Sequence, residues 1–299
     1  MDNPLLSLLI RLGICTPDTI EQYYPRVRDR ADVHVLRCRQ SGVMFLSRAD
    51  HITDEYYQAQ TDFSYWGASD RQQALAECYT DDVRRANQLG TFIRNRRWVD
   101  VGAGAGGVLD LLKSQAREAC AVEPQATVRQ VLEKAGHQVY AEIVELPEAH
   151  FDVATLFHVL EHLPDPVTTL AGLARKLAPG AYLIVEVPHA NDALLTLYES
   201  EDFKAFTFWS EHLILHTRRS LQACLEAAGF TNIVVQGFQR YPLANHLRWL
   251  AQNRPGGHVD WAFLVDSSLD EAYGNLLARL DKTDTLIAFA RIPQETLHA

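Results

Sequence analysis

The sequence predicts an α/β fold: a doubly wound, mostly parallel sheet closed by an antiparallel strand, with an N-terminal lid and a late helical insertion. Three observations carry the prediction. Strand-like and helix-like runs alternate from Trp98 onward. The run "AYLIVEVP" is unbroken in its apolar character, as strands buried on both faces of a parallel sheet are. The glycine-rich "WVDVGAGAGG", residues 98–107, joins a β-branched run to a helix, and such sheets receive ligands at that turn.

Taken in order, residues 1–97 form the lid or small subdomain, opening on an amphipathic helix in "MDNPLLSLLIRLGIC" and ending in a helix near 71–96. "RWVDVGA" is a strand, "AGGVLDLLKSQA" opens a helix, and "EACAVEP" is a second strand. "ATVRQVLEKAGHQVY" places Val128, Val131 and Leu132 on one helical face, stops at Gly136 and yields a short strand. "FDVATLFHV" is the fourth strand; "DPVTTLAGLARKLAPGA" is a helix stopped by Pro179-Gly180; "AYLIVEVP" is the fifth strand. "SLQACLEAAGF" sets Leu221, Cys224, Leu225 and Ala228 at helical spacing before Gly229. "TNIVVQGFQRY" and "DTLIAFARI" close the sheet, with a helical insertion at about 242–282 between them, so that residues 98–299 form the main domain.

Of the 299 residues, 47% are hydrophobic, enough for a sizeable core. A net charge of −10 and the lack of any Lys/Arg run argue against nucleic acid as a partner. No apolar stretch is long enough to span a bilayer, and the first residues lack the basic region and cleavage site of a signal peptide. Five scattered cysteines suit reduced thiols, so a cytoplasmic location is expected.

The glycine-rich turn fits two ligands. Gly102, Gly104 and Gly107 satisfy the dinucleotide pattern G-x-G-x-x-G. Asp100, Gly102, Gly104 and Gly106 satisfy D-x-G-x-G-x-G, a loop that holds S-adenosylmethionine. Glu123, about 20 residues on, suits ribose hydroxyls in either case. Asp100 discriminates. Its carboxylate opposes a pyrophosphate but favours a ligand carrying ammonium and sulfonium charges.

Residues 98–236 resemble the Rossmann-like class I S-adenosylmethionine-dependent methyltransferases: "VDVGAGAGG", "AVEP", "FDVATLFHVLEHLPDP" and "LAPGAYLIVEVP" follow that family's motifs in order. The resemblance implies that Asp100, Gly102, Ala103, Gly104 and Gly106 hold the methionine part. It also implies Glu123 and Pro124 at the ribose, and Phe157 and His158 at the wall near the sulfonium. "FWSEHLILHTRRSLQACLEAAGF" is similar to a segment of sugar C-methyltransferases in which a Glu-His pair precedes a helix. The zinc-binding cysteine pairs of that branch are lacking: Ser41 stands where C-x-x-C after Cys38 needs a thiolate. Its long C-terminal domain has no counterpart in the sequence either.

Methyl transfer needs alignment and, for a hydroxyl or enolisable carbon, proton removal, for which histidine is suited. His212, with Glu211 beside it, is the preferred base and His158 the second candidate. The pairs His158/His162 and His212/His216 have metal-ligand spacing, but His158 ends a strand and no H-E-x-x-H glutamate lies between, so no metal is expected. His189 and Asn191 in "EVPHAND", with Trp209 and the lid residue Tyr57, are candidates for the acceptor site. The expected activity is methylation of a small polar acceptor, a nucleotide sugar or surface-glycan precursor. The rivals are a lipid, quinone or secondary-metabolite acceptor, favoured by a pocket of Leu, Phe and Ile, and a nicotinamide-dependent oxidoreductase or epimerase.

Overall fold

The computed structural model describes residues 3–52 and 68–294. Its main sheet has seven strands: β4 (Arg97–Val101), β5 (Glu118–Val122), β6 (Gln138–Tyr140), β7 (Phe151–Phe157), β8 (Leu177–Pro188), β10 (Thr231–Phe238) and β11 (Thr285–Arg291). Their spatial order is β10-β11-β8-β7-β4-β5-β6. The strands from β6 to β8 pair in parallel, and β11 runs antiparallel between β8 and β10. The chain builds outward from β4 to β6, then returns to build β7 and β8 on the other side. The reversal falls between β4 and β7, and the crevice beyond their carboxyl ends is where such sheets bind ligands.

The sheet forms because its strands are apolar on both faces. Val99, Leu156, Val185 and Ala288 pack on one side with the Pro166–Lys176 and Arg218–Ala227 helices. Trp98, Ala121, Val153 and Ile184 face Leu89, Ile93, Leu109 and Leu112 on the other. The helix before β8 ends at Lys176, earlier than Pro179-Gly180 suggests. Ala178, before Pro179, is steered from helical toward extended backbone, and Leu177 already pairs with Phe151 at the start of β8.

A second, antiparallel sheet joins β1 (Ile20–Tyr24), β2 (Val35–Cys38) and β3 (Met44–Leu46) to β9 (Ile214–Leu215). It therefore draws on both sides of residue 98. Leu5, Leu9, Phe45, Phe208 and Ile214 share its core. The Arg71–Ile93 helix belongs instead to the main body, where Leu89 and Ile93 pack under the sheet. The insertion between β10 and β11 is helical, with its longer helices at Leu243–Gln252 and Ser267–Arg279. Among the described residues, no helix is long and apolar enough to cross a membrane.

Candidate active site

β4 delivers the glycine-rich turn to the crevice. Gly102, Gly104 and Gly106 all take positive φ (71°, 51° and 76°), which side chains resist. Gly107 is the first residue of the Gly107–Leu112 helix. The left-handed set is thus the D-x-G-x-G-x-G set. Three positions have steric reasons as well: a Cβ on Gly102 would lie 2.4 Å from Val159 Cγ2, one on Gly106 2.6 Å from Leu132 Cδ2, and one on Gly107 1.9 Å from Asp82 Oδ2.

Asp100 is 3% exposed, and its orientation is built by neighbours. Trp98 Nε1 donates to Thr155 Oγ1 (2.9 Å), and that hydroxyl donates to Asp100 Oδ1 (2.6 Å). Trp98 and Asp100 are two apart in β4 and so share a face; Thr155 lies across from Asp100 in register. Burial pushes the Asp100 carboxyl up to about 7, against the pull of the Thr155 hydrogen bond and Arg85. Asp82 and Arg85 line the same hollow as Asp100 and Gly102. Burial raises Asp82 to about 6, with Arg85 opposing. With the Arg85 guanidinium turned to Glu186 (2.6 Å), two acids beside a bare backbone bend make a place for a cation and a poor one for a diphosphate. Glu123, buried at the end of β5, accepts from the N–H groups of Gly104 (3.1 Å) and Gln125 (3.0 Å). Burial raises its pKa while those bonds oppose the rise.

Phe157 ends β7 at the same hollow, with the Arg85 guanidinium 4.7 Å from its ring centre. His158 follows at φ +56°, a strained backbone that turns its ring toward two carboxylates. Nδ1 lies 3.0 Å from Glu161 Oε1, and Nε2 lies 3.2 Å from Glu186 Oε1. Burial alone would lower the His158 pKa; the hydrogen bonds to Glu161 and Glu186 outweigh it and raise it. Glu186, 1% exposed, also receives Arg84 (2.9 Å) and Arg85 (2.6 Å). Despite its burial, those cations and His158 hold its carboxyl well below the usual range. Arg240, from the loop after β10, reaches Asp81 through Nε (2.6 Å) and stands 3.3 Å from His158 Nε2.

A cavity of about 220 Å³ opens beside this cluster, between the Arg71–Ile93 helix and strands β7, β8, β10 and β11. Leu89, Phe157, Ile184, Phe238, Ile287 and Phe289 form its apolar walls. Glu186 and Arg85 mark a polar end, and Arg85 and Phe157 line both this cavity and the glycine-rich hollow.

The other expected residues lie elsewhere. Neither space is lined by His212, whose ring packs against His162 (centroids 5.0 Å apart) and Trp209 (5.4 Å). Burial, then neighbouring His162, pushes its pKa down to about 3, which suits it poorly to proton abstraction at neutral pH. Trp209 is covered by Arg28, 4.7 Å from its ring centre. The two H-x-x-x-H spacings put no histidine pair on a helical face, because residues 160–162 make a tight 3-10 turn after the strained His158 and His216 is sealed against Ser220. His162 meets His212 instead. His189 is 1% exposed with Nδ1 at the Thr283 carbonyl (2.9 Å), and Asn191 donates to Asp281 (3.0 Å). Both fasten the loop before β11. Tyr57 lies outside the described residues.

Sequence reading missed Asp82, Arg84, Arg85 and Arg240. The charges of the Arg71–Ile93 helix look like a solvated face. Yet Cys78, Asp82, Arg85 and Leu89 follow helical spacing on the side that points inward, and that polar stripe was the available signal.

Residues 68–235 match a family model described as "Methyltransferase domain". The chain is 25% identical over 252 residues to a ubiquinone biosynthesis O-methyltransferase of Pseudomonas fluorescens, covering 76% of this chain and 100% of the relative. It is 28% identical over 109 residues to the protein of that name from Alkalilimnicola ehrlichii, covering 33% of this chain and 44% of the relative. In Stutzerimonas stutzeri the figures are 24% over 159 residues, with 49% and 66% covered. The chain thus spans roughly half to two thirds of the length of those two relatives. A SAM-dependent methyltransferase from Archaeoglobus fulgidus shares the fold at a TM-score of 0.51 and 19% identity, covering 71% of this chain and 93% of that one.

Proposed function

The chain belongs to the methyltransferase-domain family, and we propose that it moves the methyl group of S-adenosylmethionine to a hydroxyl of a flat, largely apolar small molecule such as a quinol or other phenol. S-adenosylmethionine is the cofactor. Asp100 and the Gly102–Gly106 turn face its cationic methionine end, Glu123 and Pro124 its ribose, and Phe157 its sulfonium. The nicotinamide alternative falls with the family assignment.

The observation that carries the acceptor reading is the cavity. Its walls are Leu, Ile and Phe, and it shares Phe157 and Arg85 with the cofactor hollow. Rings fill such a slot by area burial, worth about 25 cal/mol per Å². The hydroxyl then meets Glu186, the single carboxylate in the lining. Glu186 is too acidic, among its arginines, to hold the departing proton, so it orients the hydroxyl rather than deprotonating it. His158, whose Nδ1 and Nε2 lie against Glu161 and Glu186, has no free nitrogen to take that proton; it positions Glu186, and the proton leaves to water. The names of the curated relatives support oxygen as the accepting atom.

A nucleotide-sugar acceptor remains a second reading, favoured by the "FWSEHLILHT" segment. The apolar walls oppose it, and His189 and Asn191, which were to grip sugar hydroxyls, are engaged within the fold. A labelled-methyl screen decides between them. Transfer to catechols or quinols, with none to nucleotide sugars, is the expected result; the reverse pattern overturns the reading.

A further inference from the structure

His212 and Glu161 have no part in either cavity, yet they meet in an arrangement that asks for a partner. We propose that Glu161, His162 and His212 bind one divalent transition-metal ion of the zinc(II) type. Their ligand atoms all lie within 4.8 Å of one another. Among the described residues this is the one group of three or more His, Cys, Asp or Glu side chains with such an arrangement.

Two independent features turn proximity into a site. Glu161 is 0% exposed, and its Oε2 is buried with no hydrogen-bond partner. A buried carboxylate oxygen left in this way is costly unless something cationic meets it. His162 Nδ1 is also buried without a partner. The same ring meets the backbone of Glu211, the kind of outer contact that fixes a metal-binding imidazole's orientation. The second oxygen of Glu161 is held by His158 Nδ1 at 3.0 Å, so the carboxylate is anchored from behind in the same manner.

The donor set selects the metal. Two imidazoles and one carboxylate match zinc's tetrahedral preference with a fourth position left for water, whereas magnesium and calcium demand oxygen shells. The segments are supplied by the turn after β7 and the residues before β9. Leu213 N donates to the Glu161 carbonyl at 2.8 Å, which sets the two segments side by side before any ion arrives. This inference is independent of which acceptor the enzyme takes.

The test is titration of the dialysed full chain with ZnCl2 by calorimetry, and with CoCl2 by visible absorption. One zinc per chain and the intense bands of low-coordinate cobalt are expected. His212→Ala, at a half-buried position, weakens zinc on the order of a hundredfold, while His150→Ala, at the half-buried His150–Glu118 pair away from the cluster, changes nothing. S-adenosylmethionine binding by each variant checks that it is folded. Zinc binding unaltered in His212→Ala, absence of one-to-one binding, or tighter binding of MgCl2 than of ZnCl2 overturns the proposal. If His212→Ala does not fold, the cobalt spectrum of the unaltered protein decides: weak octahedral bands alone refute it.

Discussion

Asp100→Asn tests the residue proposed to select the ligand. The substitution keeps the shape and the acceptor for the Thr155 hydroxyl while removing the charge. In the folded, ligand-free protein the Asp100 carboxyl titrates near 7 rather than 3.8, because it is buried. That rise corresponds to about 4 kcal/mol of ionisation cost. The sign follows from linkage. A carboxyl whose folded pKa is raised contributes full stability below its unfolded value, and that stability is lost as pH rises through the folded one. At pH 8 without ligand, Asp100→Asn therefore melts higher than the unaltered protein, and at pH 4 the difference disappears.

Ligand binding reverses the ranking. A cation favours ionised Asp100, so S-adenosylmethionine affinity of the unaltered protein rises toward pH 7, by up to about tenfold per pH unit, and then levels. In Asp100→Asn the rise is limited to that carried by Asp82, whose carboxyl is raised to about 6, and affinity at pH 7.5 is weaker by about tenfold to a hundredfold, the worth of a charged hydrogen bond. Calorimetry at pH 5.5 to 7.5 and melting at pH 4 and 8 read both effects. Equal affinities in the two proteins, or a flat profile in the unaltered one, refute the charge-matching argument.

Gly107→Ala pushes a methyl into Asp82 Oδ2 across the hollow; a loss of about 1–3 kcal/mol in urea unfolding and weaker cofactor binding are expected. Glu186→Gln removes the shared counter-charge of half-buried Arg84 and buried Arg85, leaving them Asp81 and Asp82, and destabilises by about 1–3 kcal/mol in the same assay. Phe238→Ala opens one wall of the acceptor cavity. A roughly tenfold rise in KM for an apolar phenol is expected from the lost burial, with cofactor affinity unchanged.

The geometry of the glycine-rich turn and the acids beside it was legible because it is local. Asp100, the glycines and Glu123 are fixed by a strand, a turn and the next strand, so spacing carried their geometry. His212 misled for the opposite reason. A histidine beside a glutamate announces chemistry, yet which group it meets depended on the turn at 160–162, some fifty residues away. His189 and Asn191 were placed correctly after β8, but the loop before β11 returns and occupies them. The boundary at residue 98 rested on where the glycine motif begins; the small sheet crosses it through Ile214–Leu215.

The sequence by itself determined the alternating strands and helices, the left-handed glycine turn and the sign of charge beside it. Each rests on interactions within a few residues, or on the two-fold and 3.6-fold periods of buried faces. Tertiary structure alone decided the cavity beside Glu186 and the Glu161–His162–His212 cluster. Both are made where distant segments pack: the Arg71–Ile93 helix against β8 and β11, and the turn after β7 against residues 209–213. Side chains that look solvated or catalytic along the chain acquire partners only there, and those partners set their charge and their reach.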